Sequence, residues 1–301
     1  MTSKPHDRPT LRHALDAAAK ILANGPHPGR ARRDSETLLL CALRRDAPEI
    51  NLAWLIAHEG DRLAPAAAVA FHGLIERRFA GEPMQYITGE AEFYGLPFRV
   101  NRDVLIPRPE TELLVEKAIE MAQRLRPPGV KPAPRIVDVG TGSGAIAVAL
   151  ARALPFAEIA AIDISASALA VARANAERNG VAGRIRFLEG DLLDAVGGGS
   201  FDFVLSNPPY VSESDRATLD VEVRDYEPAQ ALFAGEDGME IYRRLLPAAR
   251  KALVAGGTLL LEIGCGQRAE MQTLLEQEGF AAIEFFRDLQ GIPRVAMAQR
   301  P

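Results

Sequence analysis

The stretch Ile136-Val137-Asp138-Val139 runs directly into Gly140-Thr141-Gly142-Ser143-Gly144 and then into a helix-forming segment from Ala145 to Leu154. A short β-branched run, a glycine turn and an apolar helix in that order predict a strand that hands the chain to a helix packed back on its own sheet. The alternation continues. Ile159-Ala160-Ala161-Ile162-Asp163 predicts the next strand, and further strands are expected at Ile185 to Leu188, Phe201 to Ser206, Thr258 to Ile263, Ala282 to Phe286 and Val295 to Ala298. Strands alternating with helices imply an α/β fold whose parallel sheet is covered on both faces.

The glycines also point to chemistry. At a strand-to-helix turn they let backbone pass close to a ligand at the carboxyl edge of the sheet, which implies a nucleotide-type cofactor. Gly140-x-Gly142-x-x-Ala145 fits the dinucleotide fingerprint, with Asp163 about 20 residues on, where a ribose-binding carboxylate belongs. An S-adenosylmethionine site uses the same Asp163. Alternatively, Asp163 only ends a strand and caps the next helix. Asp138 could orient the loop, touch the cofactor's amino group, or be a solvated strand-end residue. Asp191-Leu192 follows the third strand, where a side chain and a backbone N–H could flank adenine; Leu192 serves equally as core packing.

Asn207-Pro208-Pro209-Tyr210 follows the strand Phe203-Val204-Leu205-Ser206. Asn207 carries a side-chain carbonyl, and Pro208, followed by a second proline, adds a backbone carbonyl that no helix consumes. Two converging acceptors select a planar NH2 group, either a carboxamide or the exocyclic amine of a base. Tyr210 offers a flat face to pack over that plane, or fills a pocket wall with its hydroxyl in water. A dehydrogenase would need a proton relay near its hydride acceptor, yet all five histidines (His6, His13, His27, His58 and His72) precede residue 80. Methyl transfer is therefore favoured over hydride transfer.

Charge is distributed unevenly along the 301 residues. Residues 1 to 80 hold 12 Lys/Arg and 9 Asp/Glu, a net +3, which leaves −8 of the total −5 for the remainder. Neither part resembles a phosphate-binding surface. Cys41 and Cys265 are too few for a disulfide framework or a thiolate metal site, so no metal is implied and both read as buried small apolar residues. The start, Met1 to Asp7, is polar, and no apolar stretch approaches the roughly 18 residues that suggest a membrane span. A cytoplasmic, monomeric chain is expected.

Residues 1–82 read as a small helical bundle. Asp34 is expected to cap a helix with Thr37, Leu38 and Cys41 on one face, and Phe71, Leu74, Ile75 and Phe79 repeat at helical spacing. Residues 83–106 are expected to form a connecting β-hairpin, and 107–301 the sheet domain, opening with a helix to about Leu125 that Pro127-Pro128-Gly129 ends. Gly197-Gly198-Gly199 is a flexible turn. Arg108, Glu110 and Glu112 form either a substrate-facing cluster or a helix start; Glu262 contacts substrate or merely ends a strand.

Together, the glycine loop, the acidic end of the second strand and Asn-Pro-Pro-Tyr resemble S-adenosylmethionine-dependent amino-methyltransferases. The run from Gly89 through Leu105-Ile106-Pro107-Arg108-Pro109-Glu110-Thr111-Glu112, with a helical N-terminal domain, is similar to the HemK-type (PrmC) glutamine-N5 methyltransferases, which modify peptide chain release factors. The resemblance implies a Rossmann-like methyltransferase domain behind a substrate-recognition bundle, S-adenosyl-L-methionine as cofactor, and the glutamine of a Gly-Gly-Gln tripeptide as substrate. It assigns cofactor binding to Gly140, Thr141, Gly142, Ser143, Gly144, Asp163, Asp191, Leu192 and Asn207, and the substrate clamp to Asn207, Pro208, Pro209 and Tyr210. Family members can place an aromatic where Leu192 stands, which implies aliphatic contact with adenine here. The rival is an adenine-N6 or guanine-N2 nucleic-acid methyltransferase, disfavoured by the acidic balance of the sheet half.

Overall fold

A computed structural model describes residues 8–45, 47–125, 133–198 and 201–301. The expected breaks at Pro127-Pro128-Gly129 and Gly199, and the polar start Met1 to Asp7, lie outside the described residues. The chain divides into two compact units, one of Met1–Gly89 with Asp220–Tyr226, the other of Glu90–Leu219 with Glu227–Pro301.

The first unit is helical. Helices Leu11–Leu22, Ala31–Leu43 and Pro65–Phe79 bury Leu15, Leu22, Leu38, Leu39, Phe71 and Ile75 in one cluster. Asp34 is not the expected cap: it lies inside the helix that begins at Ala31, where it is buried and accepts a 2.7 Å bond from Arg78 Nε. The buried face is accordingly Asp34, Ser35, Leu38, Leu39 and Ala42, with Thr37 exposed and Cys41 only half-buried; Cys265, also expected to be buried, is exposed. Arg78, itself only 2% exposed, also meets Glu222 at 2.9 Å, so one buried guanidinium is matched by two carboxylates. Removing either partner of such a pair costs more than the pair contributes, because a bare charge stays buried. Residues 83–89, expected in the connector, instead include the helix Met84–Thr88, whose Ile87 joins the helical cluster.

The second unit begins with an antiparallel hairpin, β1 (Glu90–Phe93) and β2 (Leu96–Arg99). The main sheet is built from β3 (Arg135–Val139), β4 (Glu158–Asp163), β5 (Ile185–Glu189), β6 (Phe201–Ser206), β7 (Leu253–Glu262), β8 (Ala281–Arg287) and β9 (Pro293–Gln299), in the order β5-β4-β3-β6-β7-β9-β8. All seven expected strands are present. The sheet is not wholly parallel, since β9 runs antiparallel to both neighbours. The reason is local: Gly291 at φ 80° closes a tight Asp288–Ile292 turn, which sends the chain straight back beside β8 rather than through a crossover helix.

Helices cover both faces. Leu114, Val115, Ile146, Val148 and Leu150 pack with Ile136 and Phe203 on one side, while Tyr242, Leu245 and Leu246 pack with Val137, Val139 and Val204 on the other. The chain enters the sheet at β3, moves outward through β4 and β5, and returns to the other side of β3 as β6. That reversal opens a crevice beyond the carboxyl ends of β3 and β6, where ligands of doubly wound sheets bind.

Candidate functional site

Parallel pairing of β3 with β6 sets Val139 beside Ser206, and Ser206 Oγ donates a 2.7 Å bond to the Val139 carbonyl. The next residues on each strand are Gly140 and Asn207. Register alone therefore brings the glycine loop and Asn-Pro-Pro-Tyr to one crevice. A cavity of about 330 Å³ lies there, lined by Gly140, Gly142, Asp163, Asp191, Leu192, Asn207 and Pro209. Its size falls within the ordinary range for small-molecule sites.

Thr141, Ser143 and Gly144 do not line the cavity; they hold the loop from behind. Thr141 and Ser143 are buried, and Thr141 Oγ1 donates 2.6 Å to Asp138 Oδ2. Gly142 sits at φ 54°, and a Cβ there would meet nothing within 4 Å, so bare backbone faces open space. Gly144 has the opposite constraint, because a Cβ would stand 3.0 Å from that of Ala172. Asp163 does two jobs: its carboxylate accepts the Gly142 N–H at 2.8 Å and the Ser165 N–H at 2.9 Å while it lines the cavity. The cap of the following helix is Ser165, whose Oγ accepts from Ala168. Burial lifts Asp138 to about 7, against the lowering influence of Thr141 and the Ala147 backbone, and its Oδ1 completes no hydrogen bond among the described residues.

The opposite wall is the Asn-Pro-Pro-Tyr turn. Asn207 Nδ2 donates to Thr111 Oγ1 at 3.1 Å, and Thr111 Oγ1 donates to Glu262 Oε2 at 2.6 Å. Tyr210 does not send its hydroxyl to water, since it donates to Glu262 Oε1 at 3.3 Å. Its backbone carbonyl accepts from Gln267 Nε2 at 3.0 Å. Glu262 is 1% exposed, and burial raises it to about 7 despite the bonds from Thr111 and Tyr210. Burial likewise raises the Tyr210 phenol, with Glu262 adding to the shift, so Tyr210 stays a donor.

Several sequence expectations change here. Glu262 neither faces solvent at a strand end nor stands free for substrate; it lies under the turn as the shared acceptor of two side chains. Arg108, Glu110 and Glu112 are not one cluster. Arg108 pairs with buried Glu227, which also accepts the Ile106 N–H, and Glu112 accepts the Tyr94 N–H at 2.8 Å. Asp191 reaches the cavity but is tied to Arg244, and Leu192 both lines the cavity and packs on the core, with a left-handed φ of 50° unusual for a branched residue. Sequence reasoning missed Thr111, Glu227 and Gln267. No local pattern marks them, because each acts on a partner far away in the chain.

The architecture matches the methyltransferase class. The family model described as Methyltransferase small domain matches residues 114–224, and that described as PrmC N-terminal domain matches residues 13–89. Release factor glutamine methyltransferase of Geobacter sulfurreducens is 40% identical over 98% of each chain, and that of Bradyrhizobium diazoefficiens 39% identical over 100% of this chain and 99% of its own. The hMettl16 catalytic domain, solved with a MAT2A 3′UTR hairpin, aligns with a TM-score of 0.54 at 17% identity over 86% of this chain and 91% of its own, which speaks to the fold alone. The chain belongs to the release factor glutamine methyltransferase family.

Proposed function

We propose that the protein transfers a methyl group from S-adenosylmethionine to the side-chain N5 of the glutamine in the Gly-Gly-Gln tripeptide of peptide chain release factors. The observation that carries it is the meeting of a bare glycine loop with Asn207 and Pro209 of the Asn-Pro-Pro-Tyr turn across one cavity. The residues present fit the cofactor: open backbone at Gly142, a carboxylate at Asp163 and an aliphatic wall at Leu192 and Ile164. Gly140, Gly142, Asp163, Asp191 and Leu192 would hold it, with Thr141, Ser143 and Gly144 shaping the loop behind them and Asn207 beside them in the same cavity. Bound there, S-adenosylmethionine supplies a methyl on a sulfonium sulfur that keeps the C–S electron pair as the thioether leaves.

The rest falls to the chain. An amide nitrogen is a poor nucleophile because its lone pair is delocalised into the carbonyl, so Asn207 Oδ1 and the Pro208 carbonyl accept its two hydrogens and aim it along the attack line. As the N–C bond forms, those hydrogens become more acidic and both bonds strengthen, which stabilises the transition state selectively. One proton then leaves nitrogen for water. Tyr210 packs over the amide plane. The helical unit recognises the release factor, and the reaction belongs to translation termination in the cytoplasm on a monomeric chain.

The test supplies labelled S-adenosylmethionine with a release factor, the same factor with its Gly-Gly-Gln glutamine replaced, or bulk RNA and DNA. Label is expected on the intact factor only. Label on nucleic acid or on the glutamine-less factor overturns the assignment.

A further inference from the structure

Behind the clamp lies a buried chain of donors and acceptors that the transfer itself does not touch. Thr111 comes from the turn Pro109–Thr111, Glu262 from the end of β7, and Asn207 from the end of β6. Thr111 and Glu262 are 4% and 1% exposed, so water does not compete for their hydrogen bonds. Tyr242, on the helix Glu240–Ala252, donates 2.8 Å to the Glu262 backbone carbonyl and anchors the strand end that presents the carboxylate.

We propose that Thr111 and Glu262 are positioning residues that fix the Asn207 amide with its oxygen, rather than its nitrogen, turned toward the incoming NH2 group. The inference rests on the reading of Asn207 as the substrate clamp, and deepens it. Once Glu262 is ionised, above about pH 7, its carboxylate only accepts, so the Thr111 hydroxyl gives its single hydrogen to Glu262 Oε2 across 2.6 Å. That hydroxyl has only lone pairs left for Asn207, and at 3.1 Å it must receive an N–H. The amide is thereby oriented without reference to substrate: Nδ2 faces Thr111 and Oδ1 faces away. Turned over, Asn207 would set its oxygen against a hydroxyl with no hydrogen to give, and its NH2 against a substrate NH2. Both contacts would be repulsive.

Glu262 also ties the two ends of the clamp together. Its Oε1 accepts from Tyr210 while its Oε2 holds Thr111, so a single carboxylate sets the Asn207 amide and the Tyr210 ring. Glutamine at position 262 could still accept from Thr111 through its amide oxygen and donate to Tyr210 through its nitrogen, which preserves the orientation. Leucine could do neither.

The experiment compares Thr111→Val, Thr111→Ser, Thr111→Ala, Glu262→Gln and Glu262→Leu in the full chain, with a release factor as substrate and S-adenosylmethionine affinity as the control for folding. Thr111→Val and Thr111→Ala are expected to lower kcat about 100-fold, with cofactor affinity held within about twofold, because an unoriented acceptor loses transition-state bonds. Thr111→Ser keeps the hydroxyl and stays within about fivefold of wild type. Glu262→Gln retains most of the rate and Glu262→Leu follows Thr111→Val. Affinity for a Gly-Gly-Gln peptide, titrated with S-adenosylhomocysteine present, should weaken about tenfold in Thr111→Val.

A packing role predicts the reverse order, since valine fills the volume of threonine and serine leaves a void. An active Thr111→Val beside an impaired Thr111→Ser therefore overturns the proposal. Asn207→Ala separates the two levels of the argument. If that variant turns over normally, the clamp reading itself falls; if it is inactive while Thr111→Val is fully active, only the positioning role does.

Discussion

The two walls of the cavity are built in different ways. The glycine wall is supported from nearby in sequence: Thr141 bonds to Asp138 three residues back, and Asp163 accepts from Gly142 across 21 positions. The Asn-Pro-Pro-Tyr wall is supported from far away, with Thr111 lying 96 positions from Asn207 and Glu262 lying 151 from Thr111. Each wall hides one carboxylate that burial raises to about 7, Asp138 beneath the loop and Glu262 beneath the turn. The first wall offers backbone to a ligand that is held. The second offers oriented acceptors to an atom that reacts. Holding needs a shape that one β-turn-α unit and the strand beside it supply, whereas orienting a single amide needs partners from several elements that meet only in the finished fold.

The sharpest test of that contrast is Asn207→Ala, which should lower kcat by at least about 1,000-fold and leave S-adenosylmethionine affinity within about tenfold, as steady-state kinetics and cofactor titration will show. An equal loss in both measurements would mean that the two walls share one role. Next in size, Asp163→Ala should weaken cofactor binding about 100-fold, since both the ligand-facing carboxylate and the bond to Gly142 are lost, with a much smaller change in kcat at saturating cofactor. A purely kcat effect would count against the assignment.

The buried carboxylates give a test that does not involve catalysis. Asp138 and Glu262 titrate near 7 in the fold, against ordinary values of 3.8 and 4.5, so the folded state binds more protons in that window. The stability they contribute is complete below about pH 4 and is lost as pH rises through about 7. Asp138→Asn removes one such loss, and its thermal midpoint relative to wild type should climb from about pH 4 to about pH 7 and level off above that. A difference independent of pH would show that burial does not raise Asp138 above its ordinary range. The smallest effect concerns Leu192: Leu192→Phe should tighten cofactor binding by a few-fold through added contact with a planar base, with kcat unchanged in the same assay. No gain would indicate that the left-handed backbone at Leu192 aims its side chain into the core rather than toward adenine.

Legibility in the sequence followed the same divide. The strands were readable because each is a short apolar run bounded by turns, and the Gly140 to Gly144 loop because its conformation depends on residues it contains. Asn207 to Tyr210 was readable for a similar reason, as four adjacent residues that carry their own acceptors. Asp34 misled because a polar residue near a helix start has the look of a cap, and only the arrival of Arg78 from another helix makes it half of a buried ion pair. Glu262 gave no signal either way. An acidic residue ending an apolar strand is ordinary at an exposed edge, and its burial depends on Thr111, Tyr210 and Tyr242 closing over it.

The sequence by itself determined the alternation that makes an α/β sheet, the bare loop beyond β3 and the chemical identity of the clamp, because strand propensity, glycine freedom and side-chain acceptors are properties of residues and their immediate neighbours. The tertiary structure decided that β9 returns antiparallel, that Gly140 and Asn207 share one crevice, and which way the Asn207 amide faces. Those outcomes depend on strand register and on single hydrogens passed between Asn207, Thr111 and Glu262, groups that come within bonding distance only when β6 pairs with β7 and the Pro109–Thr111 turn meets the ends of both strands.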